Sequence, residues 1–139
     1  MVPRIVMDTN VLVAALRSRN GASFRLLTLV DARKFELAVS VPMVLEYEAA
    51  SKRQLRTPGL SASHVDAVID YLCRVASHHK IYYLWRPFLR DPKDDMVLEL
   101  AVGSDSRFIV THNTRDFAGA GQFGVRVLTP REFLREIGE

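Results

Sequence analysis

Four acidic residues stand where one local pattern gives way to another, and each is placed to do more than keep the surface wet. Asp8 directly follows the apolar run Ile5-Val6-Met7. It adjoins a buried strand rather than the turn beyond, so a site role is favoured over a helix cap, which Thr9 or Asn10 could supply. Glu46 and Glu48 lie two residues apart in a helical segment and cannot face the same way. Glu48 has Lys52 four residues on, the favourable order for a surface ion pair, whereas Glu46 has only Ala49 and Ala50 nearby and is the site candidate. In Asp91-Pro92-Lys93-Asp94-Asp95, Asp91 precedes proline and reads as a cap, and Asp95 lines up with Glu99 on the expected wet face. Asp94 instead shares the stripe of Val97, Leu98 and Ala101 that faces the core. The last acid, Asp116, sits in His112-Asn113-Thr114-Arg115-Asp116-Phe117. It either joins the others or fills the first turn of a short helix capped by Asn113 or Thr114.

Carboxylates gathered in one pocket raise each other's pKa unless a cation neutralises them. An all-oxygen pocket made of Asp8, Glu46, Asp94 and Asp116 suits a hard octahedral ion, Mg²⁺ or Mn²⁺. Such an ion acts as a Lewis acid and acidifies a bound water. Thr9, Asn10, Thr111 and Asn113 are the polar neighbours expected to orient the acids or their waters. His64, His78 and His79 are scattered, while His112 adjoins the pocket. The single cysteine, Cys73, excludes a disulfide framework and a cysteine-rich metal site.

The elements that must position these acids alternate between short β-branched runs and longer segments with apolar residues three and four apart. Strands are predicted at Arg4 to Met7, Glu36 to Ser40, Phe108 to Thr111 and Val125 to Leu128, with a further one at Ile81 to Leu84. Helices are predicted at Val11 to Leu16, Ala22 to Arg33, Pro42 to Arg56, Ser61 to His79, Pro92 to Val102 and Pro130 to Ile137. Ser61, Asp91 and Thr129 suit caps, and Pro42, Pro92 and Pro130 suit first helical positions. Pro58 and Gly59 should separate the arms of a projecting helical hairpin. The pattern is that of an α/β fold, and in an open parallel sheet the ligand site lies outside the carboxyl ends of the strands. All four acids fall at such junctions.

The chain has 139 residues, 48% of them hydrophobic and 25% charged, the proportions of one soluble globular domain spanning 1–139. The uncharged apolar stretches are too short to cross a bilayer, so a cytoplasmic protein is expected. Basic residues number 19 against 16 acidic, for a net charge of +3. Arginine supplies 15 of the 19, and its planar fork suits phosphate oxygens.

The ordered motifs Asp8-Thr9-Asn10-Val11-Leu12, Val41-Pro42-Met43-Val44-Leu45-Glu46-Tyr47, Asp91-Pro92-Lys93-Asp94-Asp95 with Leu98 and Ala101, and Phe108-Ile109-Val110-Thr111 leading to Asp116-Phe117 resemble the PIN-domain family. The resemblance spans the chain in the family's order and implies a three-layer α/β/α, Rossmann-like domain with a central, mostly parallel sheet of about five strands. It also implies a metal-dependent endoribonuclease most similar to the toxin components of toxin–antitoxin pairs, with a small antitoxin protein as expected partner and a homodimer or higher homo-oligomer as expected assembly. Many members carry an aspartate just after strand four; this chain has Asn113 there, leaving Asp116 as the fourth acid. Because an acidic pocket repels RNA, Lys52, Arg53, Arg56, Lys93 and Arg115 are the expected phosphate contacts. Tyr82, Tyr83 and Trp85 are conceivable base-stacking residues, though a strand explains them more simply.

Other classes fit less well. A receiver-type phosphoacceptor domain needs a lysine after the last strand, and Val125 to Pro130 offers none. Haloacid-dehalogenase chemistry needs a second aspartate where Asn10 stands. A catalytically degenerate PIN-like module that binds RNA or protein finds its support in Asn113.

Overall fold

A computed structural model describes residues 2–81 and 88–139. Five parallel strands form one sheet: β1 (Arg4–Met7), β2 (Glu36–Val39), β3 (Ser77–His78), β4 (Phe108–Val110) and β5 (Arg126–Leu128). They lie in the order β3-β2-β1-β4-β5. Among the described residues six helices connect and cover them: α1 (Thr9–Arg17), α2 (Ala22–Thr28), α3 (Val41–Lys52), α4 (Ala62–Val75), α5 (Pro92–Gly103) and α6 (Pro130–Glu136). The order reverses at β1, which has β2 on one side and β4 on the other. A crevice therefore opens beyond the carboxyl ends of β1 and β4, the usual place for a ligand in such sheets.

The core is built from the apolar runs that mark the strands. Ile5, Val6 and Met7 of β1, Leu37, Ala38 and Val39 of β2, and all three residues of β4 are buried. Strands buried on both faces read as continuous apolar runs, which is why these were legible. Helix α5 packs on β1, β2 and β4 through Val97, Leu98 and Ala101, and α6 packs on α2 and β5. Phe133 of α6 meets Phe35 and Phe108 edge-on at 5.3 and 5.5 Å between ring centres.

The helix starts follow the expected chemistry. Ser61 accepts from the His64 amide at 3.1 Å and Asp91 from the Lys93 amide at 2.9 Å. Thr129 and Glu132 form a reciprocal capping box. Helices α3 and α4 pack on each other as the two arms of the hairpin.

Three helix ends differ from expectation. Helix α3 stops at Lys52 rather than Arg56, and residues 53–56 leave it as turns ahead of Pro58 and Gly59. Helix α2 stops at Thr28 rather than running to Arg33, because Leu29, Val30 and Phe35 all reach the core and no single helix face presents all three; Arg33 takes a left-handed φ of 62° in the turn. Helix α4 stops at Val75 rather than His79. The segment Ser77–His78 instead pairs with Ala38 and Val39 as edge strand β3, and the His79 amide donates to the Val39 carbonyl at 2.9 Å. The β2 edge offers backbone partners that outweigh the polar residues' indifference to either conformation. Of the strand predicted at Ile81 to Leu84, Ile81 lies outside any strand and the rest lies outside the described residues.

Candidate active site

Asp8 emerges from β1 into the crevice and is only 8% exposed. It performs both roles that its position allowed: its Oδ1 accepts from the Thr9 amide at 2.8 Å, capping α1, while Oδ2 accepts from the Thr111 hydroxyl at 2.7 Å. A carboxylate offers about four acceptor positions, so two bonds leave room for a further ligand. Burial raises the pKa of Asp8, and the charge of Asp116 adds to this; the bonds from Thr111 and Thr9 and the nearby His112 oppose it.

Thr111, at the end of β4, joins the two halves of the crevice. Its fully buried hydroxyl donates to Asp8 and accepts from Asn10 Nδ2 at 3.3 Å and from the Asn113 amide at 3.0 Å. Asn10 Oδ1 in turn accepts from the His112 amide at 3.2 Å. Thr9 contributes through its main chain. Asn113, whose side chain makes no capping bond, does likewise. The ring of His112 reaches the buried Ser23 of α2, with 2.7 Å between Nε2 and Oγ.

Asp94 lies half-buried in the first turn of α5. Burial first, and then the charges of Asp8, Asp116, Asp91 and Asp95 in that order, together push its carboxyl up to about 6. Asp116 is exposed in a 3₁₀ turn at Thr114–Phe117. Its charge acts on both Asp8 and Asp94. These three acids from three separate segments share one electrostatic neighbourhood.

Glu46 is placed differently from expectation. Although Ala49 and Ala50 leave it unpaired within the next turn, its Oε1 lies 3.5 Å from both Arg53 Nη2 and Lys93 Nζ. Lys93 precedes Asp94, so this pair ties α3 to the acidic turn of α5. The carboxylate is thereby engaged by cations while its side chain is 18% exposed. Among the described residues no three His, Cys, Asp or Glu side chains converge closely enough to hold an ion. The donor set fits a hard divalent cation in kind, since it is all-oxygen and its members repel one another.

The expected phosphate contacts divide into two groups. Lys52 is held by Glu48 at 3.8 Å and Asp66 at 3.2 Å, and Arg53 and Lys93 by Glu46. Arg56 and Arg115 are exposed and make no ion pair with a described residue. Tyr82, Tyr83 and Trp85 lie outside the described residues.

Two residues matter in ways that sequence reasoning missed. Asp95, expected on a wet face, is 6% exposed, and its Oδ1 accepts from the amides of Phe88 and Leu89 at 3.2 and 2.9 Å. The segment before α5 folds back over it, and helical spacing alone could not reveal that. Tyr47 is fully buried beside Glu46, and its hydroxyl donates to the Met7 carbonyl, one residue before Asp8. Burial first, and then the charge of Asp8, hold this phenol far above the ordinary tyrosine range. The spacing of Met43, Tyr47 and Ala50 on one face of α3 was the available signal.

A model of the PIN domain family matches residues 4–115. The fold is similar to that of a chain in the crystal structure of VapBC2 from Rickettsia felis bound to a DNA fragment from their promoter. That match has a TM-score of 0.60 and 11% identity and covers 89% of this chain and 98% of the other. No curated protein matches the sequence. PIN domains are generally nucleases, and PIN-domain nucleases generally use divalent metals. With the family model covering most of the chain, including three of the four candidate site acids, the protein belongs to the PIN domain family.

Proposed function

We propose that this protein is an Mg²⁺- or Mn²⁺-dependent endoribonuclease whose site is formed by Asp8, Asp94, Asp116 and Glu46. The observation that carries the reading is that Asp8, buried at the end of β1, and Asp94, half-buried in the first turn of α5, stand among acidic charges, so that their ionised forms are disfavoured. An arrangement that resists its own ionisation is relieved by a cation. Asp8, Asp94 and Asp116, which do not converge on an ion in the structure, would have to draw together to hold one. Glu46 would join them by exchanging its contacts with Arg53 and Lys93 for the ion, leaving both cations to meet substrate phosphate.

A bound divalent ion supplies a Lewis acid for the phosphodiester and an acidified water for in-line attack. The chain's own residues fix the geometry. Thr111 and the Thr9 amide hold the Asp8 carboxylate, Asn10 locks the loop after β4 to α1, and Tyr47 holds α3 against the end of β1. Arg56 and Arg115, with Lys52, Arg53 and Lys93, would draw the RNA backbone toward an edge that would otherwise repel it.

The reading extends to a toxin that acts in the cytoplasm as a single-domain homodimer and is held in check by a small antitoxin. Its support is family membership together with the likeness in fold to a chain of a VapBC2 complex. No helix among the described residues is long and apolar enough to cross a membrane.

The test is Mn²⁺ binding by calorimetry together with cleavage of a fluorogenic single-stranded RNA, each for the natural chain and for Asp8→Asn. Metal-dependent cleavage that Asp8→Asn abolishes along with Mn²⁺ binding supports the enzyme. Cleavage that persists in Asp8→Asn or in EDTA overturns it, and RNA binding without cleavage favours the degenerate module.

A further inference from the structure

The ring of His112 is anchored through one of its two nitrogens. The residue is exposed, directly follows Thr111 at the mouth of the crevice, and has its main-chain amide held by Asn10 Oδ1 at 3.2 Å. Its Nε2 lies 2.7 Å from the Oγ of buried Ser23, whose hydroxyl has no other partner among the described residues. As the second residue of α2, Ser23 has no preceding helical turn whose carbonyl the hydroxyl could reach. A buried hydroxyl that only accepted here would leave its own hydrogen unbonded. The Ser23 hydroxyl therefore donates and Nε2 accepts, which leaves the ring proton on Nδ1. No described residue takes up that Nδ1–H, although the ring lies within electrostatic reach of Asp8.

We propose that His112 is a substrate-contacting residue, whose Nδ1–H donates to a phosphate oxygen of the RNA strand, and that Ser23 is the positioning residue that sets the ring's proton and orientation. This role rests on the nuclease reading above and adds to it a neutral donor beside the acids. The chemistry of the crevice singles out a phosphate. Its carboxylates are engaged by Thr111 and the Thr9 amide or turned to the cation, so an unspent donor at their rim needs an acceptor brought from outside. A phosphodiester brings anionic oxygens, the acceptors with which such a bond is strongest. Exposed Arg115, three residues along the same loop and without an ion pair to a described residue, gives that loop a second phosphate donor. A neutral imidazole also suits this place better than another cation. It stands beside the acids without competing with the metal ion for them, as Lys93 competes at Glu46.

Steady-state kinetics of Mn²⁺-dependent cleavage of the fluorogenic single-stranded RNA, with Mn²⁺ affinity from calorimetry, test the proposal. Asparagine at this position can place an amide nitrogen where Nδ1 stands but cannot reach Ser23, whereas glutamine can reach toward Ser23 and leaves the Nδ1 position empty. His112→Ala and His112→Gln should each raise KM about ten-fold and change kcat less than about two-fold. His112→Asn should recover most of that loss, and Mn²⁺ affinity should stay within about two-fold in all three. Ser23→Ala should raise KM about three-fold in the natural chain and leave it unchanged in the His112→Ala chain, because it acts through the ring. Recovery by glutamine and not by asparagine overturns the proposal, since the ring then serves only to hold α2. So does an unchanged KM in His112→Ala with a native-like circular dichroism spectrum, or a fall in Mn²⁺ affinity that accounts for the lost cleavage. If His112→Ala does not fold, the asparagine and glutamine variants decide between the two roles. A natural chain that does not cleave RNA with Mn²⁺ removes the nuclease reading and this contact with it, whereas metal-dependent cleavage indifferent to His112 removes the contact alone.

Discussion

The Tyr47 hydroxyl donates to the carbonyl oxygen of Met7, so the residue after Glu46 is tied to the residue before Asp8. Two acids that are far apart in the chain are thus placed by one buried bond between their neighbours. Tyr47→Phe keeps the ring but leaves the Met7 carbonyl without this donor in the core. It should cost about 1 to 3 kcal/mol in urea denaturation and weaken Mn²⁺ binding at the same time. Loss of stability with unchanged Mn²⁺ affinity would show that the bond serves the core alone.

Thr111→Val removes the donor to Asp8 and the acceptor for Asn10 and the Asn113 amide at nearly constant volume. The substitution should destabilise the protein by about 2 kcal/mol, since it leaves polar groups at the buried crevice unpaired. Hydrogen exchange should show faster opening of the loop after β4. Protection equal to that of the natural chain would mean that Thr111 does not join the two halves.

Asp94 is raised from its ordinary 3.8 to about 6, so the fold disfavours its charged form. Its contribution therefore turns increasingly unfavourable as pH rises from about 4 through about 6, and the full penalty is present above that. Asp94→Asn should melt higher than the natural chain at pH 7.5 in EDTA and about equally at pH 4. A melting difference of the same size at both pH values would contradict this origin. Mn²⁺ should narrow the difference at pH 7.5 by stabilising the natural chain only.

Asp95 serves as the internal control for its neighbour. Asp95→Ala strands the Phe88 and Leu89 amides and should cost about 1 to 3 kcal/mol at neutral pH, yet Mn²⁺ affinity in the folded fraction should change less than two-fold. If Asp95→Ala abolishes Mn²⁺ binding as Asp94→Asn does, the assignment of these adjacent acids is reversed.

Lys93→Ala frees one side of Glu46. On the proposed mechanism the variant should bind Mn²⁺ more tightly, because a competing cation is gone, and should show a higher KM for RNA because a phosphate contact is lost. Weaker Mn²⁺ binding would place Lys93 as a support for Glu46 rather than its competitor.

The sequence by itself determined the strands and the acids that follow them. Ile5-Val6-Met7 and Phe108-Ile109-Val110 can be satisfied only by burial on both faces, and Asp8 and Thr111 come next in the chain, so their place at the strand ends follows from local pattern. Caps and prolines marked the helix starts for the same reason, since each satisfies its own first turn. What only the tertiary structure decided are the relationships between distant segments. Helical spacing set Asp95 with Glu99 toward water, but the chain before α5 returns over that position and buries it beneath two amides. Spacing likewise left Glu46 unpaired, whereas the packing of α5 beside α3 brings Lys93 to it. Strand β3 exists because the β2 edge had backbone groups to pair, not because Ser77 and His78 favour extension. Periodicity reports which face of an element is dry, and only the packed neighbours determine what covers that face and which charges meet there.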